Sequence, residues 1–257
     1  MSDLYKPVPW SVQNLVSSVE SGALRLPDLQ RPFVWEKVKV RDLVDSIYRG
    51  FPVGELMFWN VPGDIETKAI GTQKKTQSSK AQIVDGQQRL TSLYVIVTGH
   101  PVVDEDYRRD RIRIAFNPFT ERFEVAGAAL EKSPEWIADI SNVFEDPFKA
   151  RRGFRERYSV AHEITEEIDD RLERIFGKLY ELRNFSFTVV ELQSTVDRET
   201  VAEIFVRINS EGVNLTQADF ILTWLSVFWL DGREELEEFS RNSRLTPTRV
   251  KAYRASI

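Results

Sequence analysis

The hydrophobic period of this chain changes across a single glycine. "AQIVD" at 81–85 reads as a strand, and Gly86 allows a tight turn. Leu90, Leu93, Tyr94 and Val97 then recur at helical spacing and stop at Gly99. A strand running straight into a helix commits the chain to mixed α and β structure. The joint itself, "DGQQR" at 85–89, is polar throughout.

The remaining periodicities fit the same class. Ser11 is placed to cap a helix carrying Val12, Leu15, Val16 and Val19, with Gly22 as its stop. "ALRLP" reads as a short strand. Val40, Leu43, Val44 and Ile47 mark a second helix, ended by Gly50 and Pro52. "ELMFWNV" is a strand, residues 71–80 a polar loop, and "RIRIAF" with "RFEVAG" a hairpin. From about Ser133 to Leu182 the pattern is helical and highly charged. "FSFTVVEL" at 185–192 returns to strand, and Val201, Ile204, Phe205 and Ile208 mark another helix. Thr216 and Asp219 resemble a capping box, and Ile221, Trp224, Leu225 and Phe228 continue its helix. The expected architecture is α+β (α/β) in three parts: a core over 1–130, a charged helical insertion over 131–184, and a returning strand with C-terminal helices over 185–257. The last stretch begins a helix without a stop signal, as a fragment of a longer protein would.

Composition narrows the chemistry. The 257 residues contain no cysteine, which excludes disulfides and thiolate catalysis and fits a reducing cytoplasm. With only His100 and His162, a multi-histidine metal site is nearly excluded. "HEITE" at 162–166 lacks the second histidine of a zincin helix. No apolar run approaches the roughly 20 residues that span a bilayer, so no membrane role is expected. The net charge of −5 argues weakly against a general nucleic-acid binder. Neither the P-loop nor the Rossmann glycine pattern occurs.

Against that background the DGQQR joint has two readings. A strand–turn–helix joint with a solvated polar rim needs no ligand. A helix N-terminus also offers unpaired N–H groups and a partial positive charge, where a phosphate fits. In the second reading Gly86 lets the backbone approach the ligand. Gln87 and Gln88 donate to phosphate oxygens or hold a water. Arg89 supplies a planar donor, and an anion offsets the poor placement of a cation at a helix start. Asp85 binds Mg²⁺ or orients the water. Two further polar clusters stand with it: Gln30 and Arg31 in "LPDLQRPFVW", and Arg207 and Asn209 in "FVRINSEGVNLTQADF". The latter is also a plain helix–turn–helix packed by Phe205, Ile208 and Leu215.

These three segments, in this order, resemble the DGQQR-motif domain at the N-terminus of GmrSD-type restriction systems, over roughly residues 10–230. The resemblance implies a core related to the ParB/sulfiredoxin fold, with a small mixed sheet. It also implies a module that binds or hydrolyses a nucleoside triphosphate with Mg²⁺, in a bacterial anti-phage enzyme that cuts modified DNA. Nucleotide contacts are then expected from Gln30, Arg31, Gly86, Gln87, Gln88, Arg89, Thr91, Arg207 and Asn209, with Asp85 and Gln87 assisting catalysis. Sulfiredoxins carry a reactive cysteine where this chain has Gln87, so sulfinic-acid reduction is excluded. This chain holds no nuclease motif; a nuclease domain would lie beyond Ile257 or on a partner chain. A homodimer is compatible with this picture.

The alternative is a DNA-sensing or protein-interaction module without NTPase activity. Its feature is "FKARRGFRER" at 148–157, where Lys149, Arg151, Arg152 and Arg155 mix with phenylalanines. The plainer reading of that run is a solvated helix face balanced by the acids at 163–170.

Overall fold

The computed structural model describes residues 4–25, 33, 35–60, 81–103 and 109–210, apart from the side chains of Arg25, Asn209 and Ser210. Met1–Val196 form one compact unit and Asp197–Ile257 a second. The expected 71–80 loop, the Thr216 capping box and the helix after it lie outside the described residues.

The first unit is mixed α+β, as its periodicities require. Among the described residues its sheet has five strands: β1 (Tyr5–Ser11), β2 (Leu24–Arg25), β3 (Leu56–Asn60), β4 (Ala81–Asp85) and β9 (Ser186–Leu192). Their spatial order is β1-β9-β3-β4-β2. β1 runs antiparallel to β9, from Tyr5↔Leu192 to Ser11↔Ser186. β9 is parallel to β3, β3 antiparallel to β4, and β4 parallel to β2. The chain therefore leaves the sheet at Asp85 and returns about 100 residues later, into the gap between β1 and β3.

Local signals set the helix ends. The Ser11 hydroxyl accepts from the Asn14 N–H at 3.1 Å and opens α1 (Val12–Ser21), which buries Val12, Leu15, Val16 and Val19 and ends at Gly22. α2 (Lys37–Tyr48) buries Val40, Leu43, Val44, Ile47 and Tyr48. It closes in a Schellman motif: the Gly50 N–H donates to the Ile47 carbonyl at 3.0 Å and the Phe51 N–H to that of Ser46 at 2.8 Å.

α3 (Gln87–Thr98) departs from the one-sided stripe its sequence suggests. Leu90 through Ile96 are all buried, while Val97 is only partly so. The reason is position: α1, α2 and α5 (Ser141–Glu145) all pack on it. A helix enclosed on several sides has no solvated face to preserve. Ser92 is satisfied inside by donating to the Gln88 carbonyl at 2.7 Å.

Two short strands, β5 (Val102–Val103) and β6 (Arg109–Asp110), pair antiparallel. The expected hairpin is β7 (Ile114–Asn117) with β8 (Arg122–Val125). Asn117 Oδ1 accepts from the Phe119 and Thr120 N–H groups at 2.9 and 3.0 Å, which shapes the turn. Glu121 follows with φ 52°, the left-handed conformation that closes it. After α4 (Ala128–Lys132) and α5 come α6 (Pro147–Tyr158), capped by Asp146, and α7 (Glu166–Tyr180), capped by Thr165. A 3₁₀ turn at Glu181–Asn184 leads into β9. The buried core is continuous from Val12 to Val189 and includes Phe154, Leu172, Ile175, Phe176 and Leu179.

One polar clasp joins three elements of this core. Tyr48 of α2 packs between Phe116 and Phe123, with ring centroids 5.4 and 5.3 Å away. Its hydroxyl donates to Glu121 Oε2 at 2.7 Å, and Lys178 of α7 donates to the same oxygen at 2.9 Å. Burial, and then the hydrogen bond to the Glu121 carboxylate, push the Tyr48 phenol well above its ordinary pKa. For Glu121, burial alone would raise the pKa. The bonds from Lys178 and Tyr48, with the charges of Lys178 and Arg174, outweigh it and hold the carboxyl below its usual value.

In the second unit α8 spans Arg198–Ser210. Asp197 accepts from the Thr200 N–H at 2.8 Å, which lowers its pKa. Of the stripe read from sequence, Val201 is buried while Ile208 is 45% exposed. Among the described residues no helix is long and apolar enough to cross a membrane.

Candidate functional site

The DGQQR joint forms where its sequence places it. β4 ends at Asp85, Gly86 takes φ 89° and ψ 17°, and α3 begins at Gln87. The first helical bond runs from the Leu90 N–H to the Gly86 carbonyl at 2.9 Å. Gly86, the N-cap residue, brings no capping side chain of its own. Only glycine fits there: besides the positive φ, a Cβ would lie 2.3 Å from Leu56 Cδ2 at the start of β3. The turn is thus pressed against the neighbouring strand.

Arg89 is the unexpected part. Its Nη1 donates to the Val53 carbonyl at 3.0 Å and its Nη2 to Asp85 Oδ2 at 3.2 Å. Its side chain is 20% exposed and that of Asp85 33%. A Cβ on Gly54, itself at φ 80°, would come within 2.1 Å of Arg89 Nη1. Two glycines therefore leave a slot that the guanidinium fills, and Arg89 ties the α2–β3 loop to the joint. These bonds use two of its five N–H groups. Sequence reading placed Arg89 facing an anion; the structure gives it partners within the fold. It also brings in Val53 and Gly54, which sequence reading missed. The available signal was a second glycine, four residues after Gly50, directly before a strand.

The other expected residues are distributed as follows. Gln87 and Gln88 are partly exposed on the first turn, while Thr91 is buried, 8% exposed, inside the helix packing. Arg207 is exposed on α8 and pairs with Glu203 at 2.5 Å. Gln30, Arg31 and the Asn209 side chain lie outside the described residues. His100 stacks on Tyr94, and its Nδ1 lies 3.2 Å from the Tyr94 hydroxyl. His162 stacks on Tyr158 and sits 3.7 Å from Glu135. Among the described residues no group of three or more His, Asp or Glu is arranged around a metal position.

The basic run of α6 meets the acids of α7. Arg151 reaches Asp169 at 3.0 Å and Glu173 at 2.9 Å, and Arg155 reaches Asp169 at 3.0 Å. Arg151 is held in its charged form despite burial, chiefly by its bond to Asp169. Lys149 and Arg152 point to solvent, Arg152 with Glu156 at 4.0 Å.

Comparison with known proteins adds the context. The family described as the N-terminal domain of the GmrSD restriction endonuclease matches residues 12–226. An uncharacterized protein of Methanocaldococcus jannaschii is 22% identical over 260 aligned positions, which cover 90% of this chain. The alignment spans 44% of that relative's length, so the chain corresponds to less than half of it.

Proposed function

The chain belongs to the family of GmrSD restriction endonuclease N-terminal domains, and from that premise we propose that it is a nucleotide-binding, NTP-hydrolysing regulatory module. The observation that carries this reading is the opening of α3. A twelve-residue helix begins at a buried glycine in the left-handed conformation, beside two partly exposed glutamines. Helix-start N–H groups and the helix dipole favour a phosphate at such a position. Gln87 and Gln88 bind phosphate oxygens, and Gln87 orients the attacking water. Asp85 keeps Oδ1 for a Mg²⁺ ion that arrives with the triphosphate, since such ions take most of their ligands from phosphate and water. When bound, Mg²⁺ supplies charge neutralisation on the phosphates. The attacking water's oxygen bonds to the terminal phosphorus as the bridging P–O bond breaks, giving a diphosphate and inorganic phosphate. Arg89 acts as a positioning residue that fixes the turn through Asp85 and Val53. A nuclease domain, on the same longer protein or on a partner chain, cuts modified DNA under this module's control.

The test is calorimetric titration with each NTP, with and without Mg²⁺, alongside phosphate release. Gln88→Ala weakens binding by about tenfold, the worth of roughly 1–1.5 kcal/mol of hydrogen bonding. Gln87→Ala slows phosphate release more than it weakens binding. Arg89→Ala weakens binding about 10- to 100-fold by releasing the turn. No heat with any nucleotide from the folded protein refutes the proposal.

A further inference from the structure

α6 carries a face that its own fold does not use. Phe154 and Tyr158 point into the core, and Arg151 and Arg155 engage α7. The outer ridge at i, i+4 spacing holds Phe148, Arg152 and Glu156. It reaches Val160 in the turn beyond the helix, where the Val160 N–H donates to the Arg157 carbonyl at 3.3 Å. Phe148 is 82% exposed and Val160 86%, the highest values among the exposed large hydrophobic residues described. Between them Arg152 and Glu156 are 75% and 72% exposed and only 4.0 Å apart at best. An arginine placed before its acid is also the weaker order for an i, i+4 pair.

The ridge thus reads apolar, positive, negative, apolar, at equal spacing. That series is its own complement when reversed. A two-fold axis near Phe154 carries position 148 onto 160 and position 152 onto 156. We propose that α6 pairs antiparallel with α6 of a second copy of this chain. Phe148 then meets Val160 of the other copy, and Arg152 meets its Glu156, twice over by symmetry. Ridges of i±4n residues interlock in this way in the commonest helix-packing class, at about −50°. A nucleic-acid backbone is a poorer occupant, because Glu156 would face its phosphates. A single helix pair buries less than the ~1,200 Å² of a standard stable interface, so the dimer is weak and concentration-dependent.

Sedimentation velocity on the whole chain, from low micromolar to near-millimolar concentration, tests this. Wild type moves toward dimer as concentration rises. Arg152→Glu and Glu156→Arg each shift the midpoint upward by about tenfold or more, since each places like charges in contact twice. The double variant Arg152→Glu with Glu156→Arg restores the wild-type midpoint, and Phe148→Asp abolishes association. All three substituted positions are exposed, and unchanged thermal unfolding confirms that the variants fold. A wild type that stays monomeric throughout overturns the proposal. So does a double variant that fails to restore what the single reversals remove, or association that no variant affects.

Discussion

Gly54→Ala gives the sharpest test of how the DGQQR joint is held. The substitution does two things. An alanine at φ 80° sits in the left-handed region, at a cost of about 1–2 kcal/mol. Its Cβ would also stand 2.1 Å from Arg89 Nη1, so the guanidinium must move. That movement breaks the 3.0 Å bond to the Val53 carbonyl, a charged hydrogen bond worth about 1.5–3 kcal/mol at a partly buried site. The sum is about 2–4 kcal/mol after allowing for relaxation at the surface. For a unit of this size each kcal/mol moves the melting temperature by roughly 2–4 °C, so a drop of about 5–15 °C is expected. Urea unfolding should show a lower midpoint with an unchanged slope. The two contributions separate in a double-mutant cycle with Arg89→Ala. There the clash is gone, and Gly54→Ala should cost only its backbone share, leaving a coupling of about 1.5–3 kcal/mol. Coupling below about 0.5 kcal/mol would show that the slot does not hold the guanidinium.

Further outcomes follow from the other clasps. Glu121→Gln should flatten the acid limb of the stability profile. Glu121's lowered pKa contributes stability that is present above the ordinary glutamate value of about 4.3 and lost as pH falls through the folded value. Lys178 is 46% exposed, so the effect should stay below about 1 kcal/mol; unfolding curves from pH 3 to 7 measure it, and an unaltered limb would remove Glu121 from the acid response. Tyr48 has the opposite sign: its contribution is present below about pH 10 and is lost as pH rises. Ultraviolet titration should find a tyrosine that ionises only at the alkaline extreme in the wild type and is missing from Tyr48→Phe. Asp169→Asn releases Arg155 and leaves Arg151 with Glu173 alone, so non-specific DNA affinity by anisotropy should rise and its salt dependence steepen. Unchanged binding would mean that the two arginines stay engaged without Asp169.

What the sequence determined is local. The Ser11 cap with its four buried residues, the α2 stripe and the strand–Gly86–helix joint all form where their spacing puts them. Each depends on hydrogen bonds and steric limits within a few residues. Tertiary structure decided what those elements meet. The enclosure of α3 depends on three other helices, so a stripe on its own sequence understated its burial. Arg89 finds the Val53 carbonyl 36 residues earlier in the chain, through a slot left open by Gly54 and Gly86. Pairing of Arg151 and Arg155 with Asp169 likewise required α6 and α7 to lie side by side. Such contacts belong to topology, and here the topology is set by β9 entering the sheet between β1 and β3.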